Sequence, residues 1–295
     1  MAASITKEQP AGATDAPSLP LGRRARLRLP GVPILNYHGL CETLLPDIPS
    51  HAQRFWLAPS QMRAHLEHLR ERGIRVAVLE ELETLPSPST ARNGTVAVTF
   101  DDGLASDYES AFPLLGEFGV RGVFFLNPST VGGARYLSWP QVAEMSRAGM
   151  SIESHSYHHL DLTVLPGRKL ERELAESKRA LEDRLGHAVD FLAAPHGLLN
   201  RRVVRSALAC GYRAVASTRA WPAKPRSQVL TRITLHRDLT LDDFDAFVTG
   251  AFPFTRAGSA AACSTAREAS PSTWRGSSVI GGSGSRLRQA SDASV

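Results

Sequence analysis

Thr99-Phe100-Asp101-Asp102-Gly103 places two adjacent carboxylates directly after an apolar run, Val96-Ala97-Val98. Ser154-His155-Ser156-Tyr157-His158-His159 places two imidazoles four residues apart, His155 and His159, behind a second short run, Met150-Ser151-Ile152. One carboxylate and two imidazoles complete a three-ligand face on a divalent cation. A further position stays open for water, and the other carboxylate is free to act as a base. That is the equipment of a metal-dependent hydrolase. Carboxylate with imidazole suits zinc, and equally nickel or cobalt, so the donor set does not choose the metal. Each half alone is commonplace. Asp-Gly is an ordinary turn dipeptide, and a His pair at i, i+4 is more often a surface feature than a pair of ligands. The inference rests on finding both, each just past an expected strand.

The elements that must hold these residues alternate. Short apolar runs at 32–37, 75–79, 95–100, 122–127, 150–154, 190–194, 213–217 and 230–235 read as strands. Between them lie helical patterns. One carries Met62, Leu66 and Leu69, capped by Ser60 and closed by Gly73; another runs from Ser106 to Phe118. A third follows Ser138 with Val142 and Met145, and a long one covers Arg168 to Leu185 before Gly186. Further helices are expected near 200–210 and 241–249. Strands alternating with helices mean parallel β-structure with crossover helices. Seven or eight such units predict an α/β fold, a distorted (β/α) barrel, and in such a barrel chemistry sits at the C-terminal ends of the strands. Asp101 and Asp102, His155, and the turn Ala194-Pro195-His196-Gly197 all fall there, which argues for one shared site.

Composition agrees with a single globular catalytic domain at 31–252 of the 295 residues. The flanks, 1–30 and 253–295, are rich in Ala, Pro, Ser and Gly without periodicity and read as disordered. A hydrophobic fraction of 42% and a charged fraction of 21% are ordinary for a globular chain, and a net charge of +5 without a dense basic block argues against nucleic acid as partner. Arg23, Arg24, Arg26 and Arg28 form one local basic cluster, a solvated tail or a weak attraction to anionic lipid or polysaccharide. Three scattered cysteines without a Cys-x-x-Cys fit a reducing compartment. No secretory signal or membrane span is visible, so cytoplasmic residence is expected.

These motifs resemble those of the NodB-type polysaccharide deacetylases, carbohydrate esterase family 4, over about residues 31–250. Thr99 to Gly103 matches the first family motif in full, and His155-Ser156-Tyr157-His158-His159 matches the second. Val32-Pro33-Ile34-Leu35-Asn36-Tyr37-His38-Gly39 is similar to the opening strand of the exopolysaccharide and poly-N-acetylglucosamine deacetylase branch. The resemblance implies Asp101 as catalytic base and Asp102, His155 and His159 as ligands of a divalent metal, zinc first. His158 falls where the family often has a small polar residue, and stays outside the metal shell. Ala193-Ala194-Pro195-His196-Gly197 aligns with the third motif but lacks its Arg, the partner of the catalytic Asp. Arg232 is the candidate replacement. The His196 backbone N–H is expected to serve as oxyanion donor, a role that needs no particular side chain. Leu235-His236 matches the closing Leu-x-His motif, which makes His236 the expected general acid, with His38 as rival or as a substrate hydrogen bond. Pro195 and Trp221 complete the expected substrate contacts. The implied activity is removal of N-acetyl groups from an acetylated, N-acetylglucosamine-containing glycan. An O-acetyl esterase, a small-amide hydrolase and a catalytically silent glycan-binding module are the alternatives.

Overall fold

The structure, a computed structural model, describes residues 26–28, 31–44, 46, 48–85, 94–218, 223–224 and 226–253. Its strands are β1 (Arg26–Arg28), β2 (Ile34–Tyr37), β3 (Arg75–Val76), β4 (Thr95–Phe100), β5 (Val123–Leu126), β6 (Ser151–Ser154), β7 (Phe191–Ala193), β8 (Ala214–Ser217), β9 (Val229–Thr231), β10 (Ile233–Thr234) and β11 (Ala251–Pro253). The helices are α1 (Ser50–Gln53), α2 (Pro59–Glu71), α3 (Leu79–Leu82), α4 (Phe112–Glu117), α5 (Trp139–Arg147), α6 (Gly167–Leu185), α7 (Arg201–Ala209) and α8 (Leu241–Val248). Eight strands run in the order β10-β2-β4-β5-β6-β7-β8-β9, all pairs parallel, and β3 adds beside the start of β4. β9 and β10 are one stretch of chain interrupted at Arg232. Its first half pairs with β8, as Leu230 faces Ala216, and its second half pairs with β2, as Ile233 faces Leu35. This switch brings the two ends of the sheet together in a nearly closed barrel.

Strand alternation divides the side chains into two layers. Leu35, Val96, Val98, Phe124, Ile152 and Leu192 belong to the larger apolar cluster, shared with α2, α5, α6 and α7. Ile34, Ala97, Val123, Phe125, Ala193, Ala216 and Leu230 fill the barrel interior. The inward parity continues upward into polar residues: Asn36 and His38 after Ile34, Thr99 and Asp101 after Ala97, and Arg232 after Leu230. The apolar interior is therefore the floor of a polar layer at the strand C-termini.

Four boundaries differ from expectation, each for a local reason. The helix expected to start at Ser60 has Ala58 at its N-cap. Pro59, with φ already fixed, occupies the first helical position, and Gln61 Oε1 accepts from the Ala58 N–H at 3.0 Å. The expected strand 75–79 stops at Val76, because β5 occupies that side of β4 from Thr99 onward. The helix from Ser106 opens as a π turn over Asp107–Ala111, with the Phe112 N–H reaching back to Asp107 O. Pro113, lacking an N–H, cannot extend the ordinary ladder there. Arg26–Arg28, inside the expected lead-in, pairs antiparallel with β11. The rest of the two flanks lies outside the described residues. No described helix is long and apolar enough to cross a membrane.

Candidate active site

β4 is buried along its whole length, and the chain must turn sharply where it meets the barrel mouth. It does so through Asp102, φ 75°, and Gly103, φ 65°. A Cβ at Gly103 would run into Leu126 at 2.7 Å, so this turn needs glycine. The non-glycine residues with positive φ among the described ones are Asp102, Ser156, His159, His196 and Arg226. Four of these five belong to the two motifs and the turn after β7. Backbone held in such conformations is stored where the surroundings fix it, as at ligand-gripping loops.

The turn aims Asp102, fully buried, at His155 and His159. Asp102 Oδ1 lies 3.5 Å from His155 Nε2 and 3.3 Å from His159 Nε2. Donor atoms of these three residues all fall within 4.8 Å of one another. His155 donates from Nδ1 to Ala193 O at 2.9 Å, which fixes the ring's orientation and turns Nε2 towards Asp102. An oxygen and imidazole nitrogens converging in a buried pocket fit a divalent cation. Burial opposes ionisation of Asp102, but the His155 hydrogen bond and the nearby His159 outweigh it, and the carboxyl sits well below the usual range. Burial likewise drives His159 down to about 3, so it is neutral and able to ligate. His158 turns away: its N–H and its Nδ1 meet Glu173 on α6 at 2.5 and 2.9 Å.

Asp101 is held from the other side. Arg232, with 0% of its surface exposed, donates from its two terminal nitrogens to Asp101 Oδ1 and Oδ2 at 2.7 and 2.8 Å. The same guanidinium donates to Asn36 Oδ1 at 3.1 Å and to Thr99 Oγ1 at 3.3 Å, and its carbon lies 5.1 Å from the Phe125 ring centre. Asn36 Nδ2 adds a third hydrogen bond to Asp101 at 3.1 Å. Arg232, the candidate charge partner of Asp101, thus meets it in a bidentate ion pair, supplied from the barrel-closing segment instead of the third motif. Burial alone would raise the Asp101 carboxyl; Arg232, with His155, reverses this and brings it to about 2.

The third-motif turn follows β7 as Pro195-His196-Gly197, with His196 at φ 58° and Gly197 at φ 66°. A Cβ at Gly197 would collide with Thr218, just past the end of β8. The His196 ring stands edge-on to His159, centroids 4.7 Å apart. On the opposite wall Phe55 packs against both His38, at 5.3 Å, and His236, at 5.5 Å. Arg54 donates to His236 Nδ1 at 2.6 Å. Guanidinium has no acceptor, so that nitrogen carries the lone pair and His236 is a neutral ring with its proton on Nε2. Burial and then Arg54 lower His236 to about 4. His38 is 7% exposed and its Nδ1 has no hydrogen-bond partner. Burial lowers it, while Asp101 and Asp102 pull it the other way. Trp221 lies outside the described residues.

Three residues were missed by reading motifs. Asn36 is a lone polar residue in an apolar strand, a signal that was available. Arg54 lies in no motif and meets His236 only through barrel closure. Asp107 is fully buried with neither carboxylate oxygen hydrogen-bonded. Burial, with Asp102 nearby, pushes it well above the usual carboxylate range.

The sequence pattern of the polysaccharide deacetylase family matches residues 89–215, which span Asp101, Asp102, His155 and His159. With the relatives that follow, this match supports a NodB-type polysaccharide deacetylase, carbohydrate esterase family 4. The deacetylase is 26% identical to the YxkH protein of Bacillus subtilis over 221 residues, 74% of this chain and 76% of that one. It is 28% identical to a peptidoglycan-N-acetylglucosamine deacetylase of Bacillus cereus over 132 residues, 44% of this chain but 59% of the relative. In fold it is similar to the Streptococcus pyogenes deacetylase PplD in complex with acetate, with a TM-score of 0.67 at 23% identity, covering 76% of this chain and 99% of that one. IcaB from Ammonifex degensii follows at a TM-score of 0.62 and 24% identity, covering 77% and 99%.

Proposed function

We propose that this deacetylase is metal-dependent and removes N-acetyl groups from N-acetylglucosamine units of a glycan, with zinc as the first candidate metal. The observation that carries the reading is the buried Asp102–His155–His159 group standing beside an ionised Asp101. A divalent cation held there would lower the pKa of a water towards neutrality and polarise the amide carbonyl. Asp101, held near 2, is always ionised but has little affinity for a proton, so as base it serves only a water acidified in this way. Arg232 and Asn36 fix both carboxylate oxygens and aim the remaining lone pairs at the mouth. The His196 N–H supplies a donor to the tetrahedral oxyanion. The leaving amine must be protonated to depart. His236 is held neutral by Arg54, so we assign that proton to His38, which faces both aspartates and has an uncommitted Nδ1.

The test is acetate release from N-acetylglucosamine oligomers of graded length, before and after chelation and again after zinc, nickel or cobalt is restored. Release that stops on chelation and returns with one metal is expected. Release unaffected by complete metal removal, or none on any oligomer with metal present, overturns the reading.

A further inference from the structure

α6 and α7 follow β6 and β7, so both helices begin at the barrel mouth, beside His155, His159 and the His196 turn. Their first turns carry Arg168 on α6 and Arg202 on α7, and one turn further on come Arg172 and Arg205. These four arginines line an open groove of about 710 Å³ between the helices, with Glu171 as its one carboxylate. Arg168 and Arg172 are spaced i, i+4 and Arg202 and Arg205 i, i+3, which sets two arginine columns along the groove, stepping about 6 Å on α6 and about 4.5 Å on α7, comparable to one pyranose residue.

Several arginines elsewhere on the surface are neutralised: Arg63 by Glu117, Arg72 by Asp245, Arg75 and Arg121 by Glu81, Arg213 by Asp190. Arg168, Arg172 and Arg205 are exposed and make no ion pair among the described residues. Arg202 is used differently. It donates to Leu165 O at 2.6 Å and Thr163 O at 3.0 Å, tying the groove to the loop that leaves His159. α7 itself contains three arginines and no acid. Unpaired guanidinium groups in a concave strip are built for a flexible chain of anionic groups, which they can meet two N–H donors at a time. A flat bilayer could not enter the groove.

We propose that the α6–α7 groove binds an anionic stretch of the glycan substrate, sugar units bearing phosphate groups, while a neighbouring N-acetylated unit occupies the barrel mouth. This rests on the deacetylase reading above and extends it to substrate class. The groove acts in binding alone and takes no part in bond breaking.

The experiment compares N-acetylglucosamine oligomers with partly 6-O-phosphorylated oligomers of the same length. The probes are the full-length protein and the double variant Arg172→Ser/Arg205→Ser, which leaves Arg202 and its loop contacts in place. The phosphorylated oligomer should show a KM about tenfold lower than the neutral one at low salt, with kcat unchanged, the size expected of several exposed ion pairs together. The advantage should vanish at high salt and in the double variant, while the neutral oligomer is handled alike by both proteins. Equal KM values, or a preference that survives the double substitution, overturn the proposal with the deacetylase reading intact. If neither oligomer releases acetate, that reading fails. Binding of a fluorescent inorganic polyphosphate then decides the groove alone: loss of affinity in the double variant supports it, and unchanged affinity overturns it.

Discussion

Asp101 and Asp102 are neighbours in sequence with opposite tasks, and the difference comes from what meets each one. Asp102 leaves the strand at φ 75° towards two imidazoles; Asp101 keeps the inward parity of β4 and meets a guanidinium. Asp101→Asn should therefore retain the metal and lose turnover by about a hundredfold or more, the usual weight of a general base. Metal content by elemental analysis alongside kcat checks both parts, and near-normal turnover would count against the role. Arg232→Gln removes the charge that holds Asp101 near 2. The folded carboxyl then rises towards its ordinary value or above, so activity should fail at a higher pH on the acidic side than in the parent. Arg232→Lys keeps the charge, loses the fork, and should fall between the two. An acidic limb identical in all three would separate Asp101 from the pH profile. On the other wall, His38→Ala should remove the alkaline limb and slow amide substrates more than activated acetyl esters, whose leaving group needs no proton. If His236→Ala does this and His38→Ala does not, the acid is His236, and the contact with Arg54 must break during turnover.

At the scale of elements, inward parity does two jobs, making a floor low in the barrel and a polar site at its mouth. The exception low in the barrel is Glu153 on β6, 2% exposed, which accepts from Ser151 Oγ at 3.1 Å and from the Phe191 N–H at 2.8 Å. Burial, with Glu80 nearby, pushes its carboxyl well above the usual range. The folded group keeps its proton while the unfolded chain releases it above about pH 4.5, so it withdraws stability as pH rises, by about 1.4 kcal/mol per pH unit until the folded group also ionises. Glu153→Gln mimics the protonated state and lacks this slope. Its stability advantage by urea unfolding should be small at pH 4.5 and larger at pH 7, and a pH-independent difference would show that Glu153 is ionised in the fold. Elements of this kind were legible only in part. The strands and long helices stood out from their apolar periods, and His155 and His159 from a spacing of four. Arg232 could be suspected because an arginine in an apolar strand needs a partner. That the strand breaks at Arg232 could not be read, because the break comes from changing partners between β8 and β2. Arg54 was invisible for a similar reason: its meaning comes from His236, far away in sequence and adjacent only once the barrel closes.

At the scale of the molecule, the cation would tie together loops that the barrel holds only from below. The loop after β4 brings Asp102 and the loop after β6 brings His155 and His159, and three of the four left-handed non-glycine residues near the site lie in these two loops. Without a cation, their donors are buried against one another; with one, the unfolded chain has nothing comparable to offer it. Binding to the folded state alone stabilises by an amount that grows with the logarithm of free metal, about 2.7 kcal/mol at a hundredfold excess over Kd. For a domain of this size that corresponds to a rise in Tm of about 5 to 10 °C. Scanning calorimetry on chelator-treated protein, with zinc added back stepwise, should show Tm climbing with zinc concentration. Asp102→Asn should abolish the climb because it removes a ligand, whereas Asp101→Asn should keep it because that carboxylate faces Arg232 and not the cation. A Tm indifferent to zinc in the parent protein would mean that the three buried donors are a structural hydrogen-bonded cluster, and the hydrolytic reading would lose its electrophile. A climb that survives Asp102→Asn but disappears with Asp101→Asn would exchange the roles of the two aspartates, and Arg232 would then be holding a ligand in place of a base.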